Sequence, residues 1–359
     1  MKSPVRRYGF INAKLRARLG SMLDENKITI LLQSNTVDEL LQQLSDTHYA
    51  EIIESYDRSG DLQMLEAKLF EREVRVHQEI IDMLDGRHAE LAAALTRKLE
   101  VENLKSVLRL WFSNAVKNQN IQYRYGYLYQ RTIVSEIDWS QIINAPSYQD
   151  VLKALEHTIY FSSAAMYDFD DIVKDGLFYV ETALDRLWFS TVRSAAAKLP
   201  RMDREILNRV LDNDADLKNI INLVRYGWLY RLPSDTLKTL MFEGGTVTAT
   251  KEFQTYLDLP ADQRNPLLLV KNRFPKLARQ LLDAEKESSL PVGHIEKVER
   301  YLGLARKKMY AKMLTGNPFT IGTVLAYFFQ CERQDRIIRT IVNGLYYGWD
   351  SETVGGFVL

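Results

Sequence analysis

One cysteine, no excess charge of either sign and no long apolar run mark this chain of 359 residues. A lone thiol cannot close an internal disulfide, which fits a reducing compartment. Cys331 sits near Phe328, Phe329 and Ile337 and reads as a small apolar core residue. The 47 basic residues balance 47 acidic ones. A nucleic-acid binder carries a basic excess or stripe, so that class is disfavoured. Crossing a bilayer takes about 20 consecutive apolar residues. Apolar runs such as Leu267–Val270 and Val324–Phe329 are far shorter. The basic N-terminus leads into a helix carrying Lys14, Arg16 and Arg18, not into a signal-peptide core. Any membrane association is expected through a partner.

Motifs for chemistry are missing as well. There is no Gly-x-x-x-x-Gly-Lys-Ser/Thr and no Gly-x-Gly-x-x-Gly, so neither route to a bound nucleotide is supported. His48, His77, His88, His157 and His294 show no metal-ligand spacing, and His-Glu-x-x-His is absent. No Ser or Cys is marked by a base and an orienting group as a nucleophile. No catalytic, cofactor-binding or metal-ligating residue is expected.

The chain is rich, instead, in copies of itself. Ser34–Tyr49 aligns without gaps on Ala145–Tyr160 at an offset of 111, keeping Leu41/Leu152, Leu44/Leu155, Thr47/Thr158 and Tyr49/Tyr160. Asn103–Arg109 reappears as Asp216–Asn222 at an offset of 113, and Gly227–Leu237 lines up with Gly344–Val354 at 117. The chain therefore reads as three similar helical units of about 110–120 residues, spanning 1–130, 131–243 and 244–359. Common helical solenoids repeat every 20–50 residues or so, well below this period. Three copies suggest an all-α body with pseudo-three-fold symmetry, suited to something ring-like or axial.

Helical periodicity dominates. Leu62, Leu65, Leu69, Val76, Ile80 and Met83 fall on one face, with Glu66, Lys68, Glu71, Arg72 and Glu79 around the other. From Asp170 to Lys198, Val173, Leu177, Val180, Leu184 and Leu187 predict a second amphipathic helix. Each repeat is expected to hold short helices and then two long antiparallel ones, joined near Gly86-Arg87-His88, Leu199-Pro200-Arg201 and Thr315–Pro318. The β-branched run Gly244–Thr250 reads as a linker, locally extended.

The polar clusters read as structural. Asp168, Asp170 and Asp171 precede a helix and are expected to cap it. Glu100, Glu102, Lys105 and Arg109 are spaced for intrahelical pairing. They recur in part as Asp214, Asp216 and Lys218, then as Glu332, Asp335 and Arg336. Catalytic groups rarely come in threes, and a tripled polar strip fits a seam or a lining surface better. The Tyr123–Tyr129 segment, with Arg124 and Arg131, could stack bases; packing between repeats is the favoured reading given the balanced charge.

Taken in order, Tyr8–Leu19, the Leu40-Leu-x-x-Leu-x-Asp-Thr-x-Tyr49 segment, the Glu100-x-x-Asn-Leu-Lys-x-x-Leu-Arg109 helix and the closing Glu332-x-x-Asp335 helix resemble the C subunit of the V-type and A-type rotary ATPases, whose eukaryotic counterpart is the d subunit. Between Glu252 and Leu282 the Leu-Leu-x-x-Leu-x-Asp-Thr-x-Tyr pattern does not return. The resemblance implies an all-helical funnel of three similar parts without catalytic activity or cofactor. It implies a place at the cytoplasmic end of the proteolipid c-ring, touching the membrane only through that ring, and a socket for the D and F subunits of the central stalk. One copy per complex, a monomer in isolation and no nucleic acid are expected. Which residues meet stalk or ring is unknown from sequence. A helical scaffold unrelated to rotary ATPases, binding RNA or other proteins, is the first alternative; a helical enzyme whose residues converge only in three dimensions is the second.

Overall fold

The computed structural model describes residues 3–287 and 292–358. They contain helices and turns, with no β-strand among the described residues. The all-α expectation holds. The chain divides into two compact units, 1–181 with 313–359, and 182–312.

The first unit opens with α1 (Pro4–Gly20), α2 (Glu25–Leu31), α3 (Val37–Leu44), α4 (Ala50–Ser59), α5 (Leu62–Met83) and α6 (Gly86–Trp111). It continues through α7 (Gln122–Tyr125), α8 (Trp139–Ile143), α9 (Tyr148–Leu155), α10 (Phe161–Ala164) and α11 (Phe169–Asp175). Helix α12 (Phe178–Ala197) runs into the second unit, which holds α13 (Arg201–Asn222), α14 (Ser234–Thr239), α15 (Lys251–Asp258), α16 (Leu267–Arg273) and α17 (Pro275–Glu287). Helix α18 (Val292–Thr315) returns to the first unit, closed by α19 (Gly322–Tyr347) and α20 (Ser351–Val358).

Local chemistry sets these boundaries. Asp24, Thr36, Asp138 and Ser147 each accept a main-chain N–H from the third residue beyond, which satisfies a donor the first helical turn leaves open. The duplicated segment repeats three of its side-chain bonds. Thr36 caps Glu39 as Ser147 caps Asp150. Thr47 and Thr158 each donate to the carbonyl three residues back and accept from the N–H of Tyr49 and Tyr160. Asp168 and Asp171 form a reciprocal capping box at the start of α11. The expected junctions lie at helix ends: Gly86, with φ 50°, opens α6, Pro200 precedes α13, and Thr315 ends α18.

Two expectations are corrected. The helix read from Asp170 to Lys198 is broken at Gly176, whose φ of 69° suits a residue without Cβ, and Val173 is exposed on the shorter α11. The run Gly244–Thr250 is not extended: Gly244 and Gly245 have φ of 92° and 74°, and Val247–Ala249 is one 3₁₀ turn. Thr246 and Val247 bend because a nearby carboxylate captures their N–H groups, overriding β propensity.

In the first unit the core joins the two ends of the sequence. Leu31, Leu40, Leu44, Leu65 and Leu69 pack with Ile338, Ile341 and Val342 of α19 and with Val354 and Val358 of α20. Asn12 of α1 accepts from Thr323, and Arg16 donates to the Leu314 carbonyl at 2.6 Å. Helices α6 and α13 both close in π-helical turns, Phe112–Val116 and Leu223–Leu229, followed by left-handed Asn118 and Arg231.

The seam between α19 and α20 depends on Gly344, where a Cβ would sit 2.4 Å from Val354 Cγ2. Gly344→Ala is expected to cost about 1–3 kcal/mol in denaturant melts. Gly303→Ala, on α18 with nothing within 4 Å, is expected to be neutral or to stabilise by about 0.5–1 kcal/mol. Equal stability of the two variants would show that α20 is not seated there.

Candidate functional site: buried carboxylates of the long helices

Each of α6, α13 and α19 carries one buried acid on its polar strip: Glu100, Asp216 and Asp335. Glu100 accepts from Val134 N at 2.8 Å, Ser135 N at 2.5 Å, the Tyr160 hydroxyl at 2.7 Å and Arg97 at 3.1 Å. Asp216 accepts from Thr246 N at 2.6 Å, Val247 N at 2.7 Å and the Thr246 hydroxyl at 2.9 Å. Asp335 accepts from the Tyr49 hydroxyl at 2.7 Å and from Arg72 at 3.2 Å. One turn beyond, Asn103 donates to the Tyr129 carbonyl, and Asn219 both donates to Phe242 O and accepts from Phe242 N. In α19 the matching position is the apolar Ile338.

These bonds correct the alignment. Glu100 and Asp216, like Asn103 and Asn219, are 116 residues apart. The offset of 113 matches Asn103 to Asp216 on shared Leu-Lys letters, a slip of three residues, almost one helical turn. At Gly227 a Cβ would sit 2.3 Å from the Tyr256 hydroxyl and 3.4 Å from Leu237, whereas one at Gly344 would sit 2.4 Å from Val354.

The polar strip pairs differently from its sequence reading. Glu100 pairs back to Arg97, Glu102 lies 3.9 Å from Lys98, and Arg109 makes a bidentate bridge to Glu181. Asp214 meets Arg306 at 2.9 Å, Lys218 lies over the Trp188 and Phe242 rings, and Glu332 takes Lys98 at 2.6 Å. Arg336 is exposed. In each strip one acid, Glu100, Asp216 or Asp335, is a buried clamp.

Arg72 is the residue that periodicity misplaces. Its spacing puts it on the solvent side of α5, yet it is buried, bonded to Asp335 and 4.5 Å from the centre of the Tyr49 ring. Glu73 and His77 on the same helix are buried too. Burial, with Asp335 nearby, pushes the Glu73 carboxyl up to about 8 despite Arg339 at 3.7 Å. Burial lowers His77 to about 3; its ring stacks on Phe328 at 3.9 Å, with Nδ1 3.2 Å from the Thr96 hydroxyl. Burial also raises the Cys331 thiol to about 12, out of the range of a nucleophile at neutral pH.

The Tyr123–Tyr129 segment packs as α7 and a turn. Tyr127 donates to Asp61, Tyr125 bonds Ser140, and the Tyr129 ring meets Phe70 edge-on at 5.9 Å. Beside it lies an open groove of about 520 Å³ lined by Glu66, Glu102, Arg109, Arg124 and Arg339. Among the described residues no group of three or more His, Cys, Asp or Glu could hold a metal, and no helix is long and apolar enough to cross a membrane. The three buried acids accept these bonds and so fasten one segment to the next.

The family profile described as "ATP synthase (C/AC39) subunit" matches residues 11–357. The chain belongs to this family. Among the proteins with which it aligns is the A-type ATP synthase C subunit of Haloferax volcanii, 23% identical over 353 residues, covering 96% of this chain and 95% of that protein. The corresponding protein of Halobacterium salinarum is 23% identical over 357 residues, covering 97% and 96%. With that of Methanosarcina mazei the match is 22% over 241 residues, 66% of this chain and 64% of that protein. In that pairing the chain spans just under two thirds of the relative's length.

Two tests address the clamps. Arg72→Met leaves Asp335 buried without its cation and is expected to cost about 3–5 kcal/mol, whereas Arg72→Met with Asp335→Leu should recover much of that loss. Additive losses would mean the pair is not coupled. For Glu73 the folded-state pKa lies above the ordinary value of 4.5, so between about 4.5 and 8 the folded protein holds a proton that the unfolded chain has released. Its contribution is therefore present at low pH and lost as pH rises through that window. Glu73→Gln is expected to flatten the fall in stability between about pH 5 and 8, measured by denaturant melts at each pH.

Proposed function

We propose that this chain is a non-catalytic part of a rotary ATPase rotor: a rigid adaptor linking the D and F subunits of the central stalk to the membrane proteolipid c-ring. The observation that carries the reading is the family match along 11–357, which makes nearly the whole chain one family body. The geometry supports it. The conspicuous acids on the long helices are committed to internal fastening, and a torque-bearing part must resist twisting through such fixed seams. Three repeats at 1–130, 131–243 and 244–359 would form a funnel of pseudo-three-fold symmetry around the stalk tip. The adaptor would sit on the cytoplasmic side, peripheral to the membrane, one copy per complex.

The reading is tested on the assembled complex. Native mass spectrometry is expected to find one copy of this chain with the D and F subunits and a proteolipid ring. Deleting the chain is expected to leave ATP hydrolysis by the head while abolishing coupled ion transport. A complex that holds the ring and stalk without this chain, or coupled transport in its absence, would sink the proposal. Tight, salt-sensitive binding of single-stranded RNA by the isolated protein would favour the scaffold alternative.

A further inference from the structure

The C-terminal segment after the α19–α20 seam carries an aromatic surface that the clamps do not use. Tyr346, Tyr347, Trp349 and Phe357 are 65%, 66%, 47% and 58% exposed. They form a chain of ring contacts: Tyr346 to Tyr347 at 5.1 Å, Tyr347 to Trp349 at 6.2 Å, and Trp349 to Phe357 at 6.2 Å. The backbone beneath is fixed. Gly348 takes the left-handed conformation that ends α19, and Trp349 N donates to the Gly344 carbonyl at 2.8 Å. Val354 and Val358 anchor α20 in the core, leaving Glu352 and Phe357 exposed.

Within this segment the charge has one sign. From Gly344 to Val358 the chain has no Lys or Arg, and its only charges are Asp350 and Glu352, both exposed. Bonds from Thr353 hold the Asp350 carboxyl below its usual range, so it is ionised at neutral pH. We propose that this aromatic face is a docking surface for a basic segment of a different protein, whose Lys or Arg side chains lie over the rings and pair with Asp350 and Glu352. Ring faces attract cations, and a preformed aromatic cluster loses little conformational freedom on binding. An anionic lipid surface would be repelled by the two carboxylates. A second copy meeting this patch about a two-fold axis would bring like charges together. The proposal goes beyond the rotor reading and does not require it, since the partner is defined by its charge alone.

The experiment uses the full chain in the cells that make it, with Phe357 replaced by the photo-cross-linker p-benzoylphenylalanine and the cross-linked peptide sequenced. The expected product is a segment of another protein with at least two Lys or Arg within about two helical turns of the attachment point. Asp350→Asn with Glu352→Gln is expected to lower the yield about five-fold or more. The Asn side chain keeps an acceptor for Thr353 N, so melting should match the parent. Glu352→Lys alone, at an exposed position, gives a second reading and should lower the yield in the same direction. Cross-links to lipid, to a second copy of this chain or to a segment without basic residues would overturn the proposal. So would no cross-link, or a yield indifferent to the two charges.

Discussion

A buried carboxylate is tolerated only while donors surround it, because removing a charge from water costs several kilocalories per mole unless it is paired and hydrogen-bonded. Glu100 and Asp216 meet this condition with main-chain N–H groups from Val134 and Ser135 and from Thr246 and Val247. Such charge-assisted bonds are short and directional. They fix where the chain goes after each long helix, and the short helices that follow inherit that placement. The acids are thus architectural in the strict sense that the local path cannot change without stranding a charge.

Asp335 solves the same problem with different donors. Its partners are side chains, the Tyr49 hydroxyl and Arg72, which converge from 286 and 263 positions earlier in the sequence. Tyr160 plays toward Glu100 the part Tyr49 plays toward Asp335, both at 2.7 Å. The first and last stretches of the chain therefore share one core, and neither has a complete apolar interior alone. The unit they form is discontinuous in sequence and becomes continuous only when α19 and α20 are in place.

Much of this is legible in the residues. Apolar spacing on α5, turn residues at Gly86 and Pro200, and capping side chains at Thr36, Ser147 and Asp168 act within a few positions of themselves, so a local reading finds them. The misreadings share another cause. Arg72 looks like a solvent residue until its partner 263 positions away is known. Gly176 breaks a helix whose apolar stripe continues past it. The threonines of Gly244–Thr250 have strand propensity, but Asp216 decides the local conformation from another helix. The slip of three residues in aligning α6 with α13 arises from matching letters; matching what each side chain holds restores the register.

The π-helical turns that end α6 and α13 bear on how copies of one segment drift apart in length. An extra residue inside an α-helix rotates everything beyond it by about 100°, which would swing a fastened loop off its anchor. A turn bonded to the fifth residue back, as Lys117 N to Phe112 O and Tyr230 N to Arg225 O are, takes in such an insertion on the spot. From Glu100 to Asn118 is 18 residues and from Asp216 to Arg231 is 15, yet both stretches finish on a left-handed residue. The wide turn works as an expansion joint, taking up an extra residue within the helix end instead of passing its rotation on to the chain beyond.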